Sequence, residues 1–440
     1  MNQKYCIIGA GFTGLSIAYE LLKNNPDLQI DIIEKDLELG GLASTFEAGN
    51  QKLEKFYHHW LGTDKHVFDL IYELNMGNKL LFKDSRVGIY YANQIYKFSS
   101  PLDLLNFKPL PFFSRIRFGL SVIYSWLIKD YEHLENISAE EWLLKIVGNN
   151  SYEIIWKPLL IGKFGEDNYK DVAAIWLWNK LIQRGKSRNK NTKEKLAYYK
   201  GGFSEFINDI VLKITENNRV KINKNTNVLK IRQHSDCKKV IVNYNKEECT
   251  YKKVFFTGHS PELIKLLDND LYKKYIDELK KIKYLSNFCL ILESSESLSE
   301  TYWLNVNDPS FPFVGIIEHT NFEDKKSYSG NHLIYLSKYL PTSHELYTMS
   351  KKELLNYSIP YLKKIFPNFK ESSIINSYLW KSDYAQPIIT KRYKEIMPKP
   401  ITPINNFYFC TMSQVYPEDR GTNYAIKHGR DIAKYAIKNT

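Results

Sequence analysis

The chain has 440 residues, a net charge of +12 and five cysteines, and 43% of its residues are hydrophobic and 14% aromatic. That is enough apolar material for a large core in about two or three domains, and it excludes a disordered chain. The positive balance admits nucleic acid, an anionic membrane or a phosphate-bearing ligand as partner. With no zinc-finger spacing or RRM-like run, nucleic acid is not expected, and the lysine, asparagine and isoleucine richness of the whole chain points to base bias as a simpler source of charge.

In chain order, the apolar run Tyr5 to Ile8 abuts Gly9-x-Gly11-x-x-Gly14 and an amphipathic helical pattern reaching Leu22. Gly9 suits the tight exit from a strand, Gly11 the close approach of backbone to a pyrophosphate, and Gly14 close helix–strand packing. The helix start, with Phe12 and Thr13, aims backbone N–H groups and a positive dipole end at phosphates. Leu28 to Ile33 reads as a second strand ending in Glu34, twenty residues after Gly14, where a carboxylate can accept from ribose hydroxyls, with Lys35 beside it. Strand, turn, helix, strand and acid in this order predict a Rossmann-like nucleotide site.

Gly40-Gly41 follows, either as an ordinary loop or as part of the same site. The segment Glu34 to Thr45 resembles the extended pyrophosphate motif of the FAD-dependent amine oxidase and protoporphyrinogen oxidase superfamily. The far end resembles the same superfamily: Asn406 to Cys410 as a short strand, a loop through Glu418, Arg420, Gly421, Thr422 and Asn423, then a helical run to Ile437. The resemblance implies FAD, with Arg420 against the cofactor and the last helix directed at the flavin ring, Gly421 to Asn423 supplying close approach and cap. It further implies that Val228 contacts the adenine and that Lys200-Gly-Gly-Phe begins a helix beside the cofactor. Some likeness to UDP-galactopyranose mutases lies in Tyr57-His58-His59 and in Ile89 to Pro101, although Pro417-Glu-Asp-Arg-Gly421 departs from their terminal signature.

The fold class expected is α/β: a discontinuous Rossmann-like FAD-binding domain of the glutathione-reductase type over residues 1–60, 196–260 and 385–440, and an α+β substrate domain over 61–195 and 261–384. The second domain would combine an antiparallel sheet with a helical insert. Leu61 to Lys195 reads as mostly helical, with a capping box at Ser138 to Glu141. Strands are expected over 287–293, 302–306, 313–318 and 332–340, and a helix over 350–366 that Pro360 interrupts or kinks. Phe118 to Ile128 is uncharged but too short to span a bilayer, which needs about 20 residues. It is expected as a buried helix, the alternative being a monotopic lipid-facing patch with a basic rim over 115–129.

For chemistry, His58 and His59 fall where the superfamily carries a histidine segment beside the flavin, and imidazole can exchange a proton near neutral pH. A purely structural pair is the competing reading. Arg392 could clamp a phosphate or carboxylate, and Lys163 could do so as a point charge. The five scattered cysteines lack a CxxC pair and suggest reduced core residues, with no metal. The expected function is FAD-dependent oxidation, hydride passing to flavin N5 from a small, phosphate-bearing, glycan-linked or lipid-linked substrate. A redox-neutral sugar-nucleotide mutase and a non-catalytic flavin-bound assembly partner are the alternatives. With no leader pattern before the first strand, a cytoplasmic location, or one at the inner face of a membrane, is expected.

Overall fold

The computed structural model describes residues 4–186 and 195–439; the basic residues Arg188, Lys190 and Lys193 lie outside them. The first apolar run forms β1 (Lys4–Ile8), and the glycine bend leads directly into α1 (Phe12–Asn24). β1 is the middle strand of a five-stranded parallel sheet with β2 (Gln29–Ile33), β3 (Val220–Asn223), β4 (Lys253–Phe256) and β5 (Phe407–Phe409), in the order β3-β2-β1-β4-β5. Sheets covered on both faces favour continuous apolar strands, and Tyr5 to Ile8 are all buried accordingly.

Helices α2 (Lys65–Glu73), α3 (Pro101–Leu105), α4 (Phe112–Leu127), α5 (Ala139–Val147), α6 (Lys157–Phe164) and α7 (Ala174–Lys186) make up the helical middle. The capping box forms at the start of α5, where Glu141 N–H donates to Ser138 Oγ at 3.1 Å and Ser138 N–H to Glu141 Oε2 at 2.7 Å. Beyond it come α8 (Gly202–Thr215), α9 (Lys351–Ile365) and α10 (Thr422–Lys438). α9 runs uninterrupted through Pro360. α10 crosses α1 so closely that a Cβ on Gly429 would stand 2.5 Å from the Thr13 carbonyl oxygen.

A seven-stranded sheet forms the second layer. Its order is Ile374–Pro387, Tyr284–Ser294, His332–Leu340, Gly315–Glu318, Trp303–Val306, Val87–Tyr91 and Gln94–Lys97. All neighbours are antiparallel except the pair of Trp303–Val306 with Val87–Tyr91. The strand ending at Pro387 carries this sheet past the expected boundary at residue 384. Within the mostly helical stretch, Leu80–Asp84, Val87–Tyr91 and Gln94–Lys97 are strands; Ala92 and Asn93 take positive φ (50° and 60°) and turn the last two into a tight hairpin. A small sheet of Trp60–Leu61, Lys195–Tyr199 and Leu80–Asp84 anchors the chain just after His59.

The expectation of a buried helix over 118–128 is corrected. Only Phe118, Ser121 and Ser125 of α4 are buried, while Phe113 is 83% and Leu127 70% exposed. The serines serve the packed face because their hydroxyls bond within the helix, Ser121 to Phe118 O and Ser125 to Ser121 O, both at 2.7 Å.

Candidate active site

At the carboxyl ends of β1 and β2, two glycine turns meet. Gly9 and Gly40 hold φ of 105° and 108°, which L side chains resist, and Gly40 N–H donates to Ala10 O at 3.0 Å. A Cβ on Gly14 would lie 2.0 Å from the Gly9 carbonyl oxygen, so only glycine lets α1 rest on the turn. Gly11 is different. Its Cβ would meet nothing nearer than Gly40 O at 3.8 Å, and one on Gly421 would meet nothing within 4 Å. Internal packing explains Gly9 and Gly14; the open backbone at Gly11 and Gly421 suits an approaching group.

Glu34 is 5% exposed. Its Oε2 accepts from Ala10 N–H at 2.7 Å and its Oε1 from Asp36 N–H at 3.0 Å, while burial raises its pKa against these two bonds. Thr226 N–H donates to the Glu34 carbonyl at 2.9 Å, which brings the segment leading to Val228 beside the acid. Lys35 turns instead to Glu262, Nζ to Oε1 2.5 Å. The Phe12 side chain is core, its ring centroid 5.3 Å from Phe206 and 6.0 Å from Phe203, so its backbone is what faces the turn. Gly41, with φ of 59°, completes the second turn, and its Cα packs against Gly11.

The start of α10 lies next to Thr13, around a small cavity that they share with Met412 and Val415. The expectation that Thr422 and Asn423 cap their own helix is corrected: neither side chain bonds to its first turn. Thr422 Oγ1 accepts from Trp60 Nε1 at 2.7 Å, and Asn423 Oδ1 accepts from the N–H groups of His66 and Val67 at 2.9 and 3.2 Å. Asn423 therefore caps α2, and α10 begins at Gly421 without a side-chain cap.

Just before it, Asp419 is buried and holds Lys180 of α7 and Lys163 of α6, the latter at 3.5 Å, and accepts from Trp176 Nε1 at 3.0 Å. The two ammonium groups hold its carboxyl far below the usual range, although burial opposes them, and burial lowers both lysines. Arg420 donates to Gln386 Oε1 at 3.0 Å and to Tyr339 OH at 2.9 Å. Half-buried Glu418 precedes them.

His58 and His59 join this cluster. His58 Nδ1 donates to the Phe56 carbonyl, which leaves Nε2 with its lone pair. His59 Nδ1 lies 3.0 Å from Tyr302 OH. Burial, with the Arg420 charge, pushes His58 down to about 4; burial, with Arg184, His58 and Lys180, pushes His59 down to about 3. Proton exchange by these rings near neutrality is therefore corrected: both stay uncharged and act as neutral hydrogen-bonding groups. Arg392 is not brought to the cluster. It lies at the surface with φ of 56°, its guanidinium 2.6 Å from Glu395. Sequence reasoning missed Asp419, Lys180 and Tyr339, although Trp176 and Lys180, four apart on one helix, carried a signal of a shared face.

A parallel sheet with a glycine bend and acid at its carboxyl end, and a terminal helix that returns its start to that bend, define a dinucleotide-binding flavoprotein. The flavin containing amine oxidoreductase family matches residues 12–437, and the chain belongs to it. It is an FAD-dependent oxidoreductase, and the open backbone at Gly11 and Gly421 fits that cofactor. The chain is 24% identical over 282 residues to coproporphyrinogen III oxidase of Staphylococcus aureus, a match covering 56% of this chain and 59% of that protein. Among solved structures it is similar to a provisional protoporphyrinogen oxidase from Exiguobacterium sp. 255-15 (TM-score 0.77, 16% identity, 100% of both chains). It is also similar to reduced UDP-galactopyranose mutase (0.76, 13%, 100% of this chain and 95% of that one) and cyclohexylamine oxidase from Brevibacterium oxydans IH-35A (0.72, 13%, 100% and 99%). At these identities the likeness is one of fold.

Proposed function

We propose that this enzyme oxidises a small anionic substrate, one bearing carboxylate or phosphate groups. The supporting observation is the charge around Asp419: Lys163, Lys180 and Arg420 act on its carboxylate, Arg184 acts on both lysines, Arg420 reaches His58, and Arg184 and Lys180 reach His59. Asp64, which accepts from Leu61 N–H at 2.9 Å, is pushed by burial up to about 6 and adds a second negative charge at neutral pH. With Glu418, which acts on Tyr424 together with Asp64 and Asp419, the four cations Lys163, Lys180, Arg184 and Arg420 face three carboxylates, a balance of one positive charge. A protonated amine would add to it, whereas a carboxylate or phosphate would offset it.

Bound FAD supplies a hydride acceptor at N5. In this reading Gly9, Gly11, Gly40 and Gly41, with the N–H groups of Phe12 and Thr13, hold the pyrophosphate, Glu34 the ribose and Val228 the adenine end. The uncapped start of α10, Gly421 to Asn423, would be directed at the flavin ring, where its dipole would favour negative charge. Neutral His58 and His59 orient the substrate through hydrogen bonds, and the lysines and Arg420 hold its acidic groups. Residues 1–60, 196–260 and 385–440 would carry the cofactor and the remainder the substrate.

Anaerobic mixing of the yellow holoprotein with porphyrinogens, sugar nucleotides and alkyl amines tests this. Bleaching by acid-bearing compounds is expected, with KM raised about tenfold in Lys163→Met through loss of one charge-assisted contact; bleaching by amines alone would overturn it. The same cations suit a diphosphate, so a redox-neutral sugar-nucleotide rearrangement is the second reading. It would show as turnover only after dithionite reduction, with no electrons consumed.

A further inference from the structure

We infer that α3 and α4 form an interfacial segment that lies flat on an anionic lipid bilayer. α4 is amphipathic in the inverted sense. Phe112, Ile116, Leu120, Ile123 and Leu127 recur every three or four residues and so share one stripe, and all of them are exposed. The opposite stripe, Phe118, Ser121 and Ser125, is the one packed against the protein. A helix held to its own domain by serines, with leucine and phenylalanine facing out, is arranged for an apolar medium.

The surface extends beyond one helix. Leu102 and Leu105 of α3 are 69% and 43% exposed, and half-exposed Trp126 rests on α7 at Gly185, where a Cβ would stand 2.5 Å from its ring. Together these side chains present on the order of 1,000 Å² of apolar surface, at about 200 Å² for a full large side chain, where monomers usually show patches of a few hundred. Charge selects the partner. Residues 97–129 carry Lys97, Lys108, Arg115, Arg117 and Lys129 against the single acid Asp103, whose carboxylate is bonded to the N–H groups of Ser99 and Ser100. The guanidinium groups of Arg115 and Arg117 are fixed on the carbonyls of Leu110, Leu105, Ile146 and Lys145, so their charges stay at the rim. A second copy docking by a twofold axis would set this basic rim against itself, whereas acidic headgroups complement it. No helix among the described residues is long and apolar enough to cross a membrane, and sixteen residues of α4 suffice to lie along its interface.

Flotation of the FAD-bound protein with phosphatidylcholine vesicles, and with vesicles containing phosphatidylglycerol, tests this without any assay of catalysis. The protein should float with the anionic vesicles and far less with the neutral ones. Combined Phe113→Ser, Leu120→Ser and Leu127→Ser should cut the bound fraction about tenfold or more with flavin absorbance unchanged. Combined Lys108→Glu and Lys129→Glu, which leaves the apolar stripe intact, should lower binding to the anionic vesicles alone. Absence of flotation with both vesicle types overturns the inference, as does equal flotation of the triple serine variant. A dimer that the serine variant converts to monomer, without vesicle binding, assigns the face to a second copy and also overturns it.

Discussion

Glu34 shows how much one side chain settles at the cofactor end. Its carboxylate already receives two backbone N–H groups, which fixes its direction and leaves lone pairs for ribose hydroxyls. Glu34→Ala should weaken FAD binding about tenfold to hundredfold, the worth of charge-assisted hydrogen bonds, read from the ratio of flavin to protein absorbance and by titration. Full retention of flavin would remove the residue from the site. The histidines make a different prediction. With folded pKa values near 4 and 3, neither changes charge around neutrality, so no inflection near pH 6.5 in kcat/KM should belong to them. An inflection there that disappears in the His58→Ala, His59→Ala double variant would contradict the neutral pair, and the variant itself should lose flavin reduction more than flavin content. Their adjacency was legible in the sequence; their protonation state was not, because it is set first by burial in the folded molecule and then by Arg420, Arg184 and Lys180, each more than a hundred residues away along the chain.

Elements are tied together by polar groups placed at their ends. Glu54, 1% exposed on the strand Gln51–Glu54, accepts from Phe203 N–H at 2.8 Å in the first turn of α8 and from Tyr198 OH at 2.9 Å. Burial raises its pKa from 4.5 to about 7. The folded state thus binds this proton more tightly than the unfolded one, so the contribution is fullest below the unfolded pKa. Stability falls as pH rises through the interval up to the folded value, by roughly 3 kcal/mol. Glu54→Gln keeps an acceptor for Phe203 and should abolish that loss, so its advantage in urea-unfolding free energy should grow from about pH 5 to about pH 8. A constant difference across that range would show that the carboxyl does not titrate there. The helix after Lys200 was implied by the family resemblance, but the buried acid that joins it to Gln51–Glu54 was not legible, since nothing local distinguishes Glu54 from a solvated glutamate.

Across the whole molecule, the two ends of the chain meet at one crossing. Gly429 lets α10 seat against Thr13 and Ser16 of α1, and both helices begin beside the glycine turns. Gly429→Val should force the pair apart at a cost of roughly 1–3 kcal/mol, and flavin release should move to lower temperature together with the near-ultraviolet dichroism transition. A lowered melting temperature with unchanged flavin release would show that the crossing serves stability alone.

Glycine spacing, strand patterning and the acid after β2 were determined by the sequence, because each acts within about thirty residues and obeys a fixed geometry. The terminal helix was legible for the same reason. Only the tertiary structure decided that Asn423 caps α2 rather than its own helix, that Asp419 gathers Lys163 and Lys180 while Arg392 stays outside, and that α4 turns its serines inward. Periodicity gives an amphipathic helix two faces without saying which meets the core; that choice belongs to the surfaces packed around it.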